Sequence, residues 1–87
     1  MLDPTELEGL IVDVFENQQV YAEVIFRGID IEPEPHVCKY IYNFALLFSD
    51  KEDKYNVESY LRCVRDKVQE LKSLEAPCEI ILAITVV

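Results

Sequence analysis

Residues 37–48 read VCKYIYNFALLF, and this stretch decides the fold that the sequence predicts. Apolar and aromatic side chains occupy every second position from Cys38 to Phe48, which is the spacing of a β-strand with one buried face. The intervening positions are mixed instead of polar: Lys39, Ile41, Asn43, Ala45 and Leu47. Because a solvated sheet face normally carries clearly polar residues, this strand predicts a sheet whose second face is also partly apolar.

The residues before this strand predict its hairpin partner. Residues 19–31 alternate in the same way and are rich in β-branched and aromatic side chains. After Gly28 the apolar positions change from even to odd numbers, which indicates a β-bulge or a sharp bend at that glycine. Residues 32–36 read EPEPH, and we expect a stiff, extended connector there because the two prolines lack N–H donors.

Two amphipathic helices and a third strand complete the predicted elements. Asp3 is a suitable N-cap and Pro4 a suitable first helical residue, so a helix is predicted to begin there and to end near residue 17 or 18. A second apolar stripe at three- and four-residue spacing covers residues 57–74, with Asn56 as its predicted cap. Residues 49–54 are predicted to form a charged loop, and residues 78–87 the last strand.

The predicted order is therefore α-β-β-α-β. It indicates an α+β domain spanning residues 1–87, a two-layer sandwich of a three-stranded, mostly antiparallel sheet with two helices packed on one face. Two strand orders fit this pattern. The order 2-1-3 is favoured over 1-2-3 because every neighbouring pair of strands is then antiparallel.

The charge of the chain is strongly acidic and unevenly distributed. Seventeen acidic residues face eight basic ones, giving a net charge of −9, and residues 1–36 contain a single base, Arg27. Such a field repels nucleic acid and anionic membranes and attracts basic partners. The candidate contact residues are Glu6, Asp13, Glu16, Asp30, Glu32 and Glu34. The alternative interpretation is that the charge only keeps a small domain soluble.

The second face of the predicted sheet is a candidate interface. The residues expected to share it are Tyr21, Ile25, Ile41, Ala45, Leu47, Ile81 and Ala83. A contiguous apolar patch of this kind usually marks a surface that another molecule covers, although scattered surface apolar residues are ordinary. We therefore expect a homodimer or small oligomer, or a partner that covers this face.

These two features give two functional hypotheses. The first is a small, non-enzymatic protein-binding domain, an inhibitor or regulator that engages a basic surface which would otherwise hold nucleic acid. In this respect it resembles the class of small acidic phage-encoded or immunity-type inhibitors. The alternative is a structural subunit of a homo-oligomer or of a larger assembly that associates through its exposed sheet face. The α-β-β-α-β order is similar to that of phage tail-terminator ring proteins at the level of the fold, without a shared motif.

Catalytic and metal chemistry receive little support. Glu34, His36 and Cys38 alternate in the connector and supply three zinc ligands at most, whereas a closed site needs a fourth and usually shows paired Cys or His spacing. Cys38 with His36 lacks a third group to orient the base. No glycine-rich phosphate loop is present. The sequence predicts a protein that is not an enzyme and that has no cofactor or metal.

Cysteine usage and hydropathy indicate the compartment. Three cysteines without CxxC spacing do not form a disulfide framework, and they are predicted to be buried, free thiols. Neither a signal peptide nor an apolar run of the roughly 18–20 residues that a membrane helix needs is visible. We expect a reducing, cytoplasmic environment and no association with membranes or directly with nucleic acid.

Overall fold

A computed structural model describes residues 2–33, 38–72 and 79–87 of the chain. It has an α+β fold of three helices and a three-stranded mixed, mostly antiparallel sheet. The elements, in chain order, are α1 (Pro4–Asn17), β1 (Ala22–Pro33), β2 (Cys38–Phe48), α2 (Lys51–Tyr55), α3 (Val57–Lys72) and β3 (Glu79–Val86). None of the helices in these ranges is both long and apolar enough to cross a membrane.

Helix α1 begins and ends where its sequence predicts. The Asp3 side chain accepts a hydrogen bond of 2.9 Å from the Thr5 amide, which satisfies one of the unpaired donors of the first turn. Gln18 closes the helix, and Gln19 follows with a φ of 58°, in the left-handed region. The chain then enters β1, with Val20 already buried.

The predicted charged loop contains a short helix instead. Asp50 caps α2, accepting a hydrogen bond of 3.0 Å from the Glu52 amide. Asn56, predicted to cap the second long helix, is the C-terminal cap of α2. Its carbonyl oxygen also accepts from the Ser59 and Tyr60 amides, so α2 passes into α3 without a loop. A five-residue helix is too short to show an apolar period, which is why the pattern missed it.

The strand order is β1-β2-β3, so the favoured order 2-1-3 is wrong. β1 pairs antiparallel with β2, and β3 pairs parallel with β2 on its other side. This arrangement puts the most apolar strand in the centre, where Tyr42 and Leu46 are fully buried. The acids and proline of β1 fall on an edge strand instead, where they are tolerated.

The bulge predicted at Gly28 is confirmed. The pairing shifts between Phe26, opposite Phe44, and Gly28, opposite Asn43, and Gly28 has a φ of 118°. β1 continues to Pro33. Glu32 and Pro33, predicted to begin the connector, therefore belong to the strand. The rest of that connector, and residues 73 and 74 at the end of the second apolar stripe, lie outside the described residues.

The hydrophobic core lies between the sheet and the long helices. α1 contributes Leu7, Ile11 and Phe15, and α3 contributes Leu61, Val64 and Val68. They pack on the even-numbered side chains of β2: Tyr42, Phe44, Leu46 and Phe48. Burial of these apolar side chains is the main stabilising contribution to the fold.

Candidate functional site

The sheet face opposite the long helices, here called the open face, brings most of the predicted interface residues together. Ile25 lies opposite Ala45 on the neighbouring strand, and Ile41 lies opposite Ile81. Ala83 lies opposite Asn43. The alternating direction of strand side chains puts all of these on one side of the sheet. None of the predicted interface residues belongs to the core cluster that the described part of the chain forms with the helices.

The open face carries two apolar pairs, Ile25 with Ala45 and Ile41 with Ile81, which flank Asn43 and are here together called the apolar centre. Ala45 is only 3% exposed although it lies outside the core cluster, so its neighbours on the face cover it. Ile25, Ile41 and Ile81 are half-buried, and Leu47 at one end of the face is 44% exposed. A sheet face turned permanently to water would carry polar side chains at these positions.

Tyr21 lies at the end of the sheet, apart from this centre. It precedes β1, its carbonyl oxygen accepts a hydrogen bond of 3.0 Å from the Ser49 amide, and the residue is 62% exposed. Together with Glu16 of α1 it lines a small cavity beside Val20.

Charged residues surround the apolar centre on two sides. Glu23 lies opposite Leu47 at one end, and Glu32 and Glu79 lie on either side of Lys39 at the other. Asp30 lies opposite Ile41. Together with Arg27 at the bulge, the face carries more acids than bases.

Asn43 is a polar group in the middle of the open face that the sequence analysis did not single out. Its amide nitrogen donates to the Gly28 carbonyl oxygen at 3.2 Å and to Asp30 Oδ2 at 3.1 Å. These bonds link the bulge to the central strand and hold the Asp30 carboxylate beside the apolar centre. Asn43 is the one amide among the apolar and aromatic residues of β2, which was the available signal.

The predicted acidic contact residues do not form one surface. Asp30 and Glu32 belong to the open face, whereas Glu6, Asp13 and Glu16 lie exposed on α1, on the other side of the sheet. Glu34 lies outside the described residues. Sequence distance could not show this separation, because α1 and β1 pack on each other with their acids facing opposite sides.

The carboxylates of α1 are available to a partner. Glu6 and Asp13 line a groove of about 520 Å³ between α1 and α3, with Leu10 and Leu71 among its apolar residues and Lys67 on the α3 side. Two ion pairs within 4 Å lie on α3. They are Arg65 with Glu58 at 3.9 Å and Lys67 with Glu70 at 3.7 Å, all with exposed side chains. Pairs of this kind contribute about 0–1 kcal/mol.

Tyr60 is a half-buried residue beside α2. Burial, together with the nearby Asp53 and Asp50 carboxylates, raises the pKa of the Tyr60 hydroxyl, because each of these factors disfavours the phenolate. The hydroxyl donates to Asp53 Oδ1 at 3.3 Å. The arrangement fixes α2 against α3 and is remote from the open face.

The residues considered for metal binding or catalysis are not brought into a site. Glu34 and His36 lie outside the described residues, as does Cys78, and the side chain of Cys38 is not described. Across the ranges that the structure does describe, no three His, Cys, Asp or Glu side chains form a possible metal site. Cys63, predicted to be buried, is an exposed free thiol on α3.

Comparison with known proteins gives no family assignment. No protein-family model matches the chain, and no curated protein matches it.

Proposed function

We propose that this chain is a non-enzymatic protein-binding domain whose open face is covered by a partner protein with an apolar centre and basic surroundings. The observation that carries the proposal is two apolar pairs on the face away from the core, Ile25 with Ala45 and Ile41 with Ile81, one on each side of Asn43. Where the partner's basic groups ordinarily hold nucleic acid, the domain would compete with phosphate and act as an inhibitor or regulator.

The energetics favour apolar burial as the source of affinity. Fully burying one Val, Leu, Ile, Phe or Met side chain contributes about 1.5–3 kcal/mol, so three half-buried isoleucines still offer a substantial part of a binding energy. The carboxylates of Glu23, Asp30 and Glu32 would then select a basic partner and increase the association rate. Charge sets specificity here, and the apolar centre sets affinity.

The experiment compares two variants that add the same charge at different places. Ile41→Glu puts a carboxylate in the apolar centre, whereas Ser59→Glu puts one on an exposed position of α3. Immobilised wild type and Ser59→Glu should retain the same basic protein from a lysate, and Ile41→Glu should lose it at least tenfold. Circular dichroism checks that each variant is folded. Equal retention by all three proteins would contradict the proposal.

A second candidate is a subunit of a homo-oligomer that associates through the same face. The apolar centre supports this equally, but acids outnumber bases on each open face, so two such faces brought together repel each other. Salt separates the two candidates. Binding of a basic partner weakens as salt rises, while face-to-face association of two copies strengthens because their repulsion is screened.

A further inference from the structure

The two edges of the sheet differ in how they are protected. Edge strands expose unpaired N–H and C=O groups, and proteins normally blunt them with bulges, prolines or charges. β1 has all three, with a bulge at Gly28, Pro33 at its end, and the charges of Glu23, Asp30 and Glu32. β3 has none of these after Glu79: residues 80–87 read IILAITVV and pair with β2 without a register shift.

The unpaired backbone groups of β3 can be identified residue by residue. The Val87 amide donates to the Leu46 carbonyl oxygen at 2.9 Å, so Val87 points its N–H toward β2. Successive residues of a strand point their N–H and C=O groups to opposite sides. Ile80, Leu82, Ile84 and Val86 therefore direct theirs away from β2, where the described part of the chain places no further strand.

Side chains beside this edge are self-complementary. A groove of about 330 Å³ lies next to the first half of β3, lined by Arg65, Val68 and Gln69 of α3 and by residues 79–82. At the other end of the strand, Val86 lies on the same sheet face as Ile80 and is 37% exposed. An antiparallel neighbour with the same sequence would bring its Val86 beside Ile80 and next to the groove.

We propose that β3 pairs antiparallel with β3 of a second copy, centred on Ala83, to form a six-stranded sheet about a two-fold axis. The four outward-facing residues are symmetric about position 83, so each can bond to its counterpart. Ala83 then faces Ala83 of the second copy in a pair without hydrogen bonds, where side chains are closest and a small one fits.

The charge on the strand agrees with an antiparallel arrangement. Glu79 is the one charged residue of β3. In the antiparallel pair it would be displaced by eight residues along the strand from Glu79 of the second copy, which is about 26 Å at 3.3 Å per residue. A parallel pair would instead put the two carboxylates side by side. The two-fold symmetry closes the assembly at a dimer, which uses up the unprotected edge. This surface differs from the open face, so the inference stands apart from the proposed function.

Hydrogen exchange on the unmodified protein tests the pairing directly. We expect the Leu82 and Ile84 amides to be protected at high protein concentration and to exchange at least tenfold faster on dilution. The Ile81 and Ala83 amides point toward β2 and should stay protected throughout. Fast exchange of Leu82 and Ile84 at every concentration would overturn the proposal.

Light scattering after size-exclusion chromatography gives a second test with matched variants. Leu82→Pro and Leu82→Ala both replace the branched leucine side chain with a smaller one, but only proline removes the outward N–H. We expect wild type and Leu82→Ala at about twice the 10.1 kDa of the chain, and Leu82→Pro at the monomer mass. Ile41→Glu, which alters only the open face, should remain dimeric. A folded, dimeric Leu82→Pro variant, or a monomeric Ile41→Glu variant, would overturn the proposal. If Leu82→Pro does not fold, the hydrogen-exchange experiment on the unmodified protein is the test of the proposal.

Discussion

The hydroxyl of Tyr42 connects the start of the chain to the central strand. It is fully buried and donates a hydrogen bond of 2.6 Å to the Leu2 carbonyl oxygen. Tyr42→Phe leaves that carbonyl without this donor, so we expect the free energy of unfolding to fall by about 1–3 kcal/mol in urea denaturation. Tyr55→Phe is the control, because Tyr55 is 88% exposed and its change should stay within about 0.5 kcal/mol. Equal effects of the two substitutions would show that the buried bond contributes nothing.

Tyr60 gives a prediction about pH. Its pKa lies above 10.0 in the folded protein, first because of burial and then because of the Asp53 and Asp50 carboxylates. The neutral phenol is thus favoured by folding, and the stability it contributes is present below pH 10.0 and is lost as the pH rises past that value. Tyrosinate absorbance is titrated against pH for wild type and for Tyr60→Phe, and the difference between the two curves isolates Tyr60. Its midpoint should lie above pH 10.0. Asp53→Asn should lower that midpoint without restoring the ordinary value, since burial remains. A midpoint at or below 10.0 would contradict this.

At the scale of the element, the two glycines should respond oppositely to the same substitution. No atom lies within 4 Å of a Cβ built on either Gly9 or Gly28, so neither site is closed by steric clash. Gly28 has a φ of 118°, and alanine there is strained, so Gly28→Ala should destabilise the protein by about 1–3 kcal/mol. Gly9 lies within α1, where alanine is the better helix former, so Gly9→Ala should stabilise by about 0.5–1 kcal/mol. Chemical denaturation of both variants measures this, and effects of the same sign would contradict it.

The elements were predictable wherever local pattern carried the information. Side-chain alternation identified all three strands, the change of parity identified the bulge at Gly28, and Asp3 with Pro4 fixed the start of α1. The position of β3 was not predictable in this way, because the apolar alternation of residues 80–86 is equally compatible with either side of the hairpin. The two-sided apolar character of β2 was used to predict a partly apolar second face but not the strand order, although such a strand belongs in the centre of a sheet.

The residues of the candidate site were likewise predictable only where a local sequence pattern carried the information. The open-face residues were predicted from parity within single strands, and the sheet register aligns them across strands. The acidic residues were grouped by closeness in sequence, which says nothing about which side of the sheet each faces. Asp30 and Glu32 therefore belong with Ile41, while Glu6 and Asp13 belong to the groove between α1 and α3.

At the scale of the whole molecule, the chain has a net charge of −9. Because of this charge, the salt concentration should affect the two proposed associations in opposite directions. Two copies joined through β3 repel each other, because like charges interact over about 10 Å at 0.1 M salt and over about 30 Å at 0.01 M. Raising the salt concentration should therefore tighten the dimer. A basic partner on the open face is attracted by the same field, and screening should weaken it.

The comparison can be made on one preparation. Sedimentation measures the dimer dissociation constant across a salt series, and retention of the basic partner is measured in the same buffers. We expect the dimer to tighten while retention falls, with Ile41→Glu lowering retention at least tenfold and still forming a dimer that tightens with salt. If the dimer weakened with added salt, specific ion pairs would hold the two copies together. The proposal that backbone groups and apolar side chains of the β3 edge supply the contacts would then be wrong.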